Sequence, residues 1–115
     1  LAIFQPHRYS RTAEFLGPFA QALCQADAVI LAPLYAAGEE PIPGISSGAL
    51  AAEIQGLRPE LPVTVATCLD TLTDAVVEHS RAGDLVLAMG AGDVNGLWGR
   101  LQQRQESAAA VPLAA

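Results

Sequence analysis

The sequence predicts an α/β domain in which helices cover a parallel β-sheet. Short apolar runs alternate with longer stretches of helical periodicity, a pattern typical of strands joined by crossover helices. The 115 residues, of which 51% are apolar, correspond to a single domain with a sizeable core. Neither an internal repeat nor a second apolar core is visible in the sequence.

The first elements follow from the apolar pattern. Residues 1–4 are apolar at every position, as expected of a strand that is buried on both faces. After a polar loop, Thr12 is the expected cap of a helix in which apolar residues recur at spacings of three and four through Leu23. Gly17 and Pro18 weaken the early turns of this helix.

The rest of the chain continues the alternation. The further predicted elements are a strand at 28–34, a helix at 46–57, a strand at 63–66, a helix at 70–82, a strand at 84–89 and a helix at 94–106. Ser46 or Ser47 is the expected cap of the helix at 46–57, and Asp70 is that of the next helix, which Gly83 ends. Small residues at 107–115 predict a disordered tail, so that the domain spans 1–106.

Composition argues against several classes of function. The formal charge is −6 and all six basic residues are arginines, so the overall field repels the phosphate backbone of nucleic acid. Without lysine, the chain has neither a phosphate-loop lysine nor a Schiff-base lysine. The longest apolar stretch falls well short of the roughly 20 residues of a membrane-spanning helix. The first residues carry neither Met nor a signal pattern, which predicts that the chain derives from a longer protein.

The two cysteines predict neither a disulfide framework nor a metal site. Cys24 and Cys68 are far apart in the sequence, and each lies in an apolar setting without zinc-ligand spacing. Two buried reduced thiols are therefore expected. A disulfide or a reactive cysteine is the alternative.

The loop after the first strand is the main candidate for a binding site. Loops at the carboxyl ends of parallel strands converge, and this one places Arg8, Arg11 and His7 together in an acidic protein. Two guanidinium groups, the hydroxyls of Ser10 and Thr12 and a helix N-terminus can hold a carboxylate or a phosphate. Alternatively, the arginines pair with surface carboxylates and His7 packs against the loop.

A second candidate loop follows the second strand. Residues 35–39 supply an aromatic ring at Tyr35, a flexible glycine at Gly38 and a carboxylate at Glu39. Glu39 can accept a hydrogen bond from a ligand amine. The alternative is that Tyr35 anchors the loop and that Glu39 is solvated.

A glycine-rich loop follows the last strand. The sequence Gly-Ala-Gly-Asp at 90–93 resembles half of a dinucleotide-binding fingerprint, but it lacks the third glycine and follows the last strand rather than the first. A full nicotinamide site is therefore not predicted. Gly90 and Gly92 are interpreted as sites of close backbone approach to another domain or ligand, with Asp93 as a helix cap.

Three motifs occur in a fixed order along the chain. They are Phe-Gln-Pro-His-Arg-Tyr-Ser-Arg-Thr at 4–12, Tyr-Ala-Ala-Gly-Glu at 35–39 followed by Pro-Ile-Pro-Gly at 41–44, and Asp-Leu-Val-Leu at 84–87 with Met-Gly-Ala-Gly-Asp at 89–93. In sequence, order and spacing they resemble the C-terminal domain of the Mur ligase family. The resemblance covers residues 1–106 and implies a Rossmann-like fold. The glycines at 96 and 99 depart from the family pattern and put the last helix in doubt.

The resemblance also implies a function. Similar enzymes are cytoplasmic, three-domain ligases of peptidoglycan synthesis, and the motifs indicate the member that uses UDP-N-acetylmuramate, L-alanine and ATP. ATP phosphorylates the sugar carboxylate, magnesium neutralises the phosphates, and the amine of L-alanine attacks the acyl phosphate. Because ATP and magnesium are bound mainly by the central domain, neither a cofactor nor a metal is expected on this chain alone. The chain alone is expected to be inactive, and no catalytic residue is assigned to it.

The same resemblance implies roles for the loop residues. Arg8 or Arg11 holds the amino-acid carboxylate, His7 orients the substrate through a hydrogen bond, and residues 35–39 wall the alanine pocket. The implied substrate-binding residues are His7, Arg8, Ser10, Arg11, Thr12, Tyr35, Gly38 and Glu39. The implied contacts with other domains are at Gly90, Gly92 and Asp93.

Two other kinds of function stay open from the sequence. The chain can be a free-standing Rossmann-like module that binds anions or regulates a partner without ligase activity. It can also be a structural or oligomerisation domain in which the arginines are incidental. The size of the natural polypeptide and the effect of replacing the arginines distinguish these alternatives.

Overall fold

The computed structural model describes residues 1–110, and the side chains through residue 107. Within this range the chain forms one four-stranded parallel sheet in the order β3-β2-β1-β4. The strands are β1 (Ala2–Phe4), β2 (Val29–Leu31), β3 (Val63–Val65) and β4 (Leu87–Met89). The helices are α1 (Tyr9–Leu23), α2 (Ser47–Leu57), α3 (Leu69–His79) and α4 (Leu97–Ala110), with a 3-10 turn at Asp93–Gly96 before α4.

The predicted α/β class with a parallel sheet between helical layers is confirmed. Helices α1 and α2 cover one face of the sheet, where Leu31, Leu50 and Ile54 form the centre of an apolar cluster. Helices α3 and α4 cover the other face, where Ile3 and Ile30 are buried against them. Successive side chains of a strand point to opposite faces, so β1 and β2 contribute to both layers.

The fourth strand is only partly buried. β4 lies at an edge of the sheet, and Leu87 is 52% exposed. The expectation of a strand buried on both faces was made for β1, and it is confirmed at Ala2 and Ile3. An edge strand has a neighbour on one side only, which leaves its apolar side chains partly open to solvent.

Helix α1 begins earlier than predicted. Its first residue is Tyr9 and Arg8 occupies the N-cap, so the prediction that Thr12 caps the helix is wrong. Thr12 lies one turn inside, fully buried, and its hydroxyl donates to the Arg8 carbonyl at 2.7 Å. Phe15 departs from helical geometry, with φ −112° and ψ 19°. The kink precedes Pro18, which lacks the amide proton of a continuous helix and crowds the preceding turn.

The caps of α2 and α3 were predicted with mixed success. The Ser46 hydroxyl accepts from the Ala49 amide at 3.1 Å, which confirms Ser46 as the cap of α2. Helix α3 is capped by Cys68 rather than by Asp70, and it ends at His79 before the predicted stop. Cys68 is exposed and Cys24 is half-buried, so the expectation of two buried thiols is wrong for Cys68, while both are free thiols.

The last helix differs from its prediction at both ends. The segment at 93–96 forms a 3-10 turn that ends at Gly96, and α4 starts at Leu97. Residues 107–110, expected in a disordered tail, belong to α4, while 111–115 lie outside the described residues. Two ion pairs, Arg100 with Asp70 and Arg104 with Asp74, join α4 to α3.

Candidate functional site

The order of the strands places the loops after β1 and β4 at a switch point. The chain moves from β1 to β2 and β3 on one side, whereas β4 pairs with the other side of β1. Loops at the carboxyl ends of such neighbouring strands diverge and leave a crevice, where parallel α/β domains bind ligands. The arginine-bearing segment (residues 5–11) and the glycine loop (residues 90–92) meet at this edge. Residues 35–39, here called the second loop, lie beside them.

The arginine-bearing segment and the second loop pair through their backbones. The Tyr35 amide donates to the Pro6 carbonyl at 2.8 Å, and the Arg8 amide donates to the Tyr35 carbonyl at 2.7 Å. The rings of His7 and Tyr35 stack, with centroids 5.7 Å apart and planes inclined by 10°. The second loop is therefore attached to the first by both main-chain and side-chain contacts.

Glu39 occupies the N-terminus of α1. One carboxylate oxygen accepts from the Ser10 amide at 3.1 Å, and the other accepts from the Ser10 hydroxyl at 2.5 Å. These hydrogen bonds, with a smaller contribution from the charge of Arg8, hold the pKa of Glu39 below its ordinary value. From the sequence, the Ser10 hydroxyl and the start of α1 are expected to hold a ligand anion. In the structure the chain's own Glu39 carboxylate binds the Ser10 amide and hydroxyl.

Arg8 and Arg11 face the outside of the domain. Both are exposed, and with His7, Ser10 and Glu14 they line an open cleft of about 420 Å³. Neither guanidinium forms an ion pair with a carboxylate of residues 1–107, so the alternative of pairing with surface carboxylates is not seen in this part of the chain. Two cations at the carboxyl edge of the sheet thus remain available to an external anion.

Gln5 links the segments that follow β2 and β4, and sequence reasoning missed it. Its side chain is 2% exposed. The amide nitrogen donates to the Pro33 carbonyl at 3.0 Å and to the Asp93 carboxylate, and the amide oxygen accepts from the Val94 amide at 3.1 Å. The available signal was a lone polar residue between an apolar strand and a proline, which is too common to single out.

The glycine loop packs directly against Gln5. A Cβ atom added at Gly92 would lie 2.6 Å from Gln5 Oε1 and 2.7 Å from Tyr35 Cγ. Gly90 has φ 154°, and a Cβ there would lie 2.8 Å from Val94 Cγ1. The predicted close backbone approach is present, but the partners observed are the chain's own loops. Asp93 caps no helix, since Gly92 holds the N-cap of the 3-10 turn and the Asp93 carboxylate accepts from Gln5.

The remaining predicted residues lie at two different depths. Thr12 is buried beneath the arginine-bearing segment and supports the Arg8 carbonyl from below. Gly38, with φ 86°, is at the exposed tip of the second loop next to Ala37, with φ 53°. The structure thus brings six of the predicted substrate-binding residues to one surface: His7, Arg8, Ser10, Arg11, Tyr35 and Glu39.

The described carboxylates do not fit a magnesium site. No group of three or more His, Cys, Asp or Glu side chains converges in the part of the chain that the structure describes. Carboxylate and carbonyl oxygens are the usual protein ligands of magnesium. No described helix is long and apolar enough to cross a membrane.

Fold and site together define a class of protein: a Rossmann-like α/β domain with arginines at the switch point of its sheet. Among curated proteins, the UDP-N-acetylmuramate–L-alanine ligase of Synechococcus sp. (strain CC9605) is 61% identical over 101 residues, which are 88% of this chain and 22% of the relative. That of Synechococcus sp. (strain CC9311) is 60% identical over 103 residues, 90% of this chain and 21% of the relative. That of Prochlorococcus marinus (strain MIT 9303) is 60% identical over 101 residues, again 21% of the relative. No family profile matches the chain.

The resemblance inferred from the three motifs is therefore confirmed. The chain is a homologue of the Mur ligases over a segment that matches their C-terminal domain, and it spans about a fifth of the length of these relatives.

Proposed function

We propose that this chain is the C-terminal domain of an ATP-dependent ligase that joins L-alanine to UDP-N-acetylmuramate through an acyl phosphate. In this proposal the domain binds the amino acid and closes the active site. The identity of about 60% over nine tenths of the chain with ligases of that name supports the activity. The single structural observation that carries the role of the domain is the pair of exposed arginines, Arg8 and Arg11, at the switch point of the sheet.

The arginines suit the amino-acid carboxylate. A guanidinium group can donate two parallel hydrogen bonds to a carboxylate, and a charge-assisted bond is roughly twice as strong as a neutral one. His7, fixed by its stack on Tyr35, lies next to Arg8 and can orient the bound amino acid. Residues 36 and 37 are alanines, and small walls suit a small substrate side chain.

The domain contributes positioning rather than bond-making groups. An acyl phosphate reacts faster with an amine when the two are held in register, and such positioning can supply on the order of 7–11 kcal/mol in favourable systems. A clamp on the carboxylate leaves the amine of L-alanine as the free end that points out of this domain. We assign no catalytic residue to the chain.

ATP and magnesium belong to other parts of the proposed enzyme. The sequence contains no lysine for a phosphate loop, and the described carboxylates do not converge into a metal site. Magnesium supplies charge neutralisation at the phosphates when it is bound there. UDP-N-acetylmuramate, ATP and the other domains are therefore the proposed partners, and the proposed location is the cytoplasm.

Replacing Arg11 in the ligase that carries this sequence tests the proposal. Arg11→Ala is expected to raise the KM for L-alanine or to lower kcat by at least about tenfold, because a charge-assisted clamp loses more than an exposed ion pair. Arg81→Ala is the matched control, since Arg81 is an exposed arginine in the turn that follows the chain's third helix. Unchanged kinetics with Arg11→Ala would contradict the assignment.

The intact mass of the natural polypeptide separates this proposal from its main alternative. A mass several times 11.9 kDa supports a multidomain ligase. A mass close to 11.9 kDa supports a free-standing anion-binding or regulatory module instead.

A further inference from the structure

The second loop is attached to the arginine-bearing segment at both of its ends. At one end, Tyr35 pairs through its backbone with Pro6 and Arg8, at 2.8 and 2.7 Å. At the other end, Glu39 holds the amide and the hydroxyl of Ser10, at 3.1 and 2.5 Å. We call the contact between Glu39 and Ser10 the clasp. The second loop thus lies across the start of α1.

The second loop and the segment beneath it each contain a residue in an uncommon backbone conformation. Arg8 has φ 67° and Ala37 has φ 53°, although neither residue is glycine. A residue with a Cβ atom adopts such an angle only where the surrounding structure fixes it, and such positions cluster at functional sites. Arg8 is one of the two cations of the cleft, so its backbone angle decides where its side chain starts.

The clasp acts on the turn of helix that carries both arginines. Ser10 lies between Arg8, the N-cap, and Arg11. Its amide is one of the donors at the start of α1 that have no partner within the helix. A carboxylate at this position also interacts favourably with the positive end of the helix. Fixing Ser10 therefore fixes the points from which both arginine side chains leave the backbone.

The geometry leaves Glu39 poorly placed to act directly on a ligand. Both of its oxygens are engaged with Ser10, and hydrogen bonds of this kind to a charged group are the strong ones. Arg8, by contrast, has its guanidinium in the open cleft. The carboxylate is thus occupied by Ser10, whereas neither Arg8 nor Arg11 forms an ion pair within residues 1–107.

We propose that Glu39 is a positioning residue which, by clasping Ser10, sets the first turn of α1 so that Arg8 and Arg11 can hold the amino-acid carboxylate. This inference rests on the proposed function and refines it. Glu39, predicted from the sequence to touch the substrate, acts through Ser10 instead.

Steady-state kinetics of the ligase that carries this sequence test the inference. Glu39→Gln keeps the size of the side chain but removes its charge, so that neither hydrogen bond with Ser10 is charge-assisted and the favourable interaction with the positive end of α1 is lost. It is expected to raise the KM for L-alanine by about tenfold, with the KM for ATP within about twofold. Glu40→Gln is the matched control, because it removes the same charge at the adjacent, exposed residue. Equal effects of the two substitutions would overturn the inference.

A double-mutant cycle with Ser10→Ala separates positioning from direct contact. If Glu39 acts through Ser10, Glu39→Gln raises the KM for L-alanine less in the Ser10→Ala background than in the wild type. If Glu39 contacts the ligand itself, the two effects multiply and the inference fails.

The outcomes for Arg11 and Glu39 are distinguishable. An effect of Arg11→Ala without an effect of Glu39→Gln leaves the proposed function intact and overturns the inference alone. No effect of Arg11→Ala overturns the proposed role of the arginines in binding L-alanine, on which the inference rests. Should Glu39→Gln fail to fold, as judged by circular dichroism, Ser10→Ala alone must raise the KM for L-alanine, or the inference fails.

Discussion

Gly92 shows how a residue without a side chain can determine the shape of a site. The space that its Cβ would need is filled by Gln5 and by the ring of Tyr35. We expect Gly92→Ala to lower the free energy of unfolding by about 1–3 kcal/mol, because overpacking forces neighbouring groups to shift. Thermal or urea unfolding measures this change.

Gly99→Ala is the matched control for that prediction. Gly99 lies in α4, and a Cβ there would meet no atom within 4 Å among the described residues. This substitution is expected to raise the free energy of unfolding by about 0.5–1 kcal/mol, since alanine favours the helix. The two variants should therefore shift stability in opposite directions, and a shift of the same sign would contradict the packing described for Gly92.

The two thiols are expected to differ in reactivity. Hydrogen bonding from the Thr71 amide lowers the pKa of the exposed Cys68 below its ordinary value of 9.0. A lower pKa raises the thiolate fraction near neutral pH, and the thiolate is the form that reacts. Iodoacetamide should therefore modify Cys68 before the half-buried Cys24, with a rate that rises as the pH approaches the lowered pKa. In urea the two rates should converge, whereas a persistent difference would point to a cause other than the fold.

Some single residues of the site could be predicted from the sequence, and others could not. Arg8 and Arg11 stood out because positive charge is rare in this chain and because they follow a strand. Gln5 did not stand out, since its role depends on Pro33 and Asp93, which are distant in sequence and come together only in the fold. The contact between Glu39 and Ser10 was missed for the same reason.

Backbone carbonyls just beyond α1 accept hydrogen bonds from an arginine that follows α2. Arg58, which follows α2, donates to the Cys24 carbonyl at 2.5 Å and to the Ala26 carbonyl at 3.0 Å, just beyond α1. We expect Arg58→Ala to lower the free energy of unfolding by about 1–3 kcal/mol, because it leaves partly buried carbonyls without their charged donor. Urea unfolding measures the effect.

Arg100→Ala is the comparison for Arg58. Arg100 pairs with Asp70 between α4 and α3, and both side chains are largely exposed. Exposed ion pairs contribute about 0–1 kcal/mol, and salt weakens them further. A loss with Arg100→Ala as large as that with Arg58→Ala would show that the carbonyl contacts are not the stabilising ones.

The existence of the elements could be predicted more easily than their ends. Apolar periodicity identified all four strands and four helices, because burial imposes it on any sequence in this fold. The ends depend on local hydrogen bonds with several possible partners. Cys68 caps α3 although Asp70 is the more common kind of cap, since Thr71 completes a reciprocal pair with Cys68.

The order of the strands is a property of the whole chain that the apolar pattern does not contain. Four buried runs predict a parallel sheet, but not that β4 joins β1 on the side opposite β2. That order creates the switch point and brings the glycine loop onto Gln5 and Tyr35. The sequence therefore predicted which loops are candidates for a binding site, and the fold was needed to show how they contact one another.

The pairing of the first strand with the last has a consequence for how the protein is made. Ala2 pairs with Leu87, so β1 waits for its second neighbour until most of the chain has left the ribosome. The layer of α1 and α2 uses residues that emerge early, through Leu61, whereas Gly92 emerges late. Until it arrives, Gln5 and Tyr35 lack their cover. A nascent chain thus carries both arginines before the glycine loop has packed against Gln5 and Tyr35.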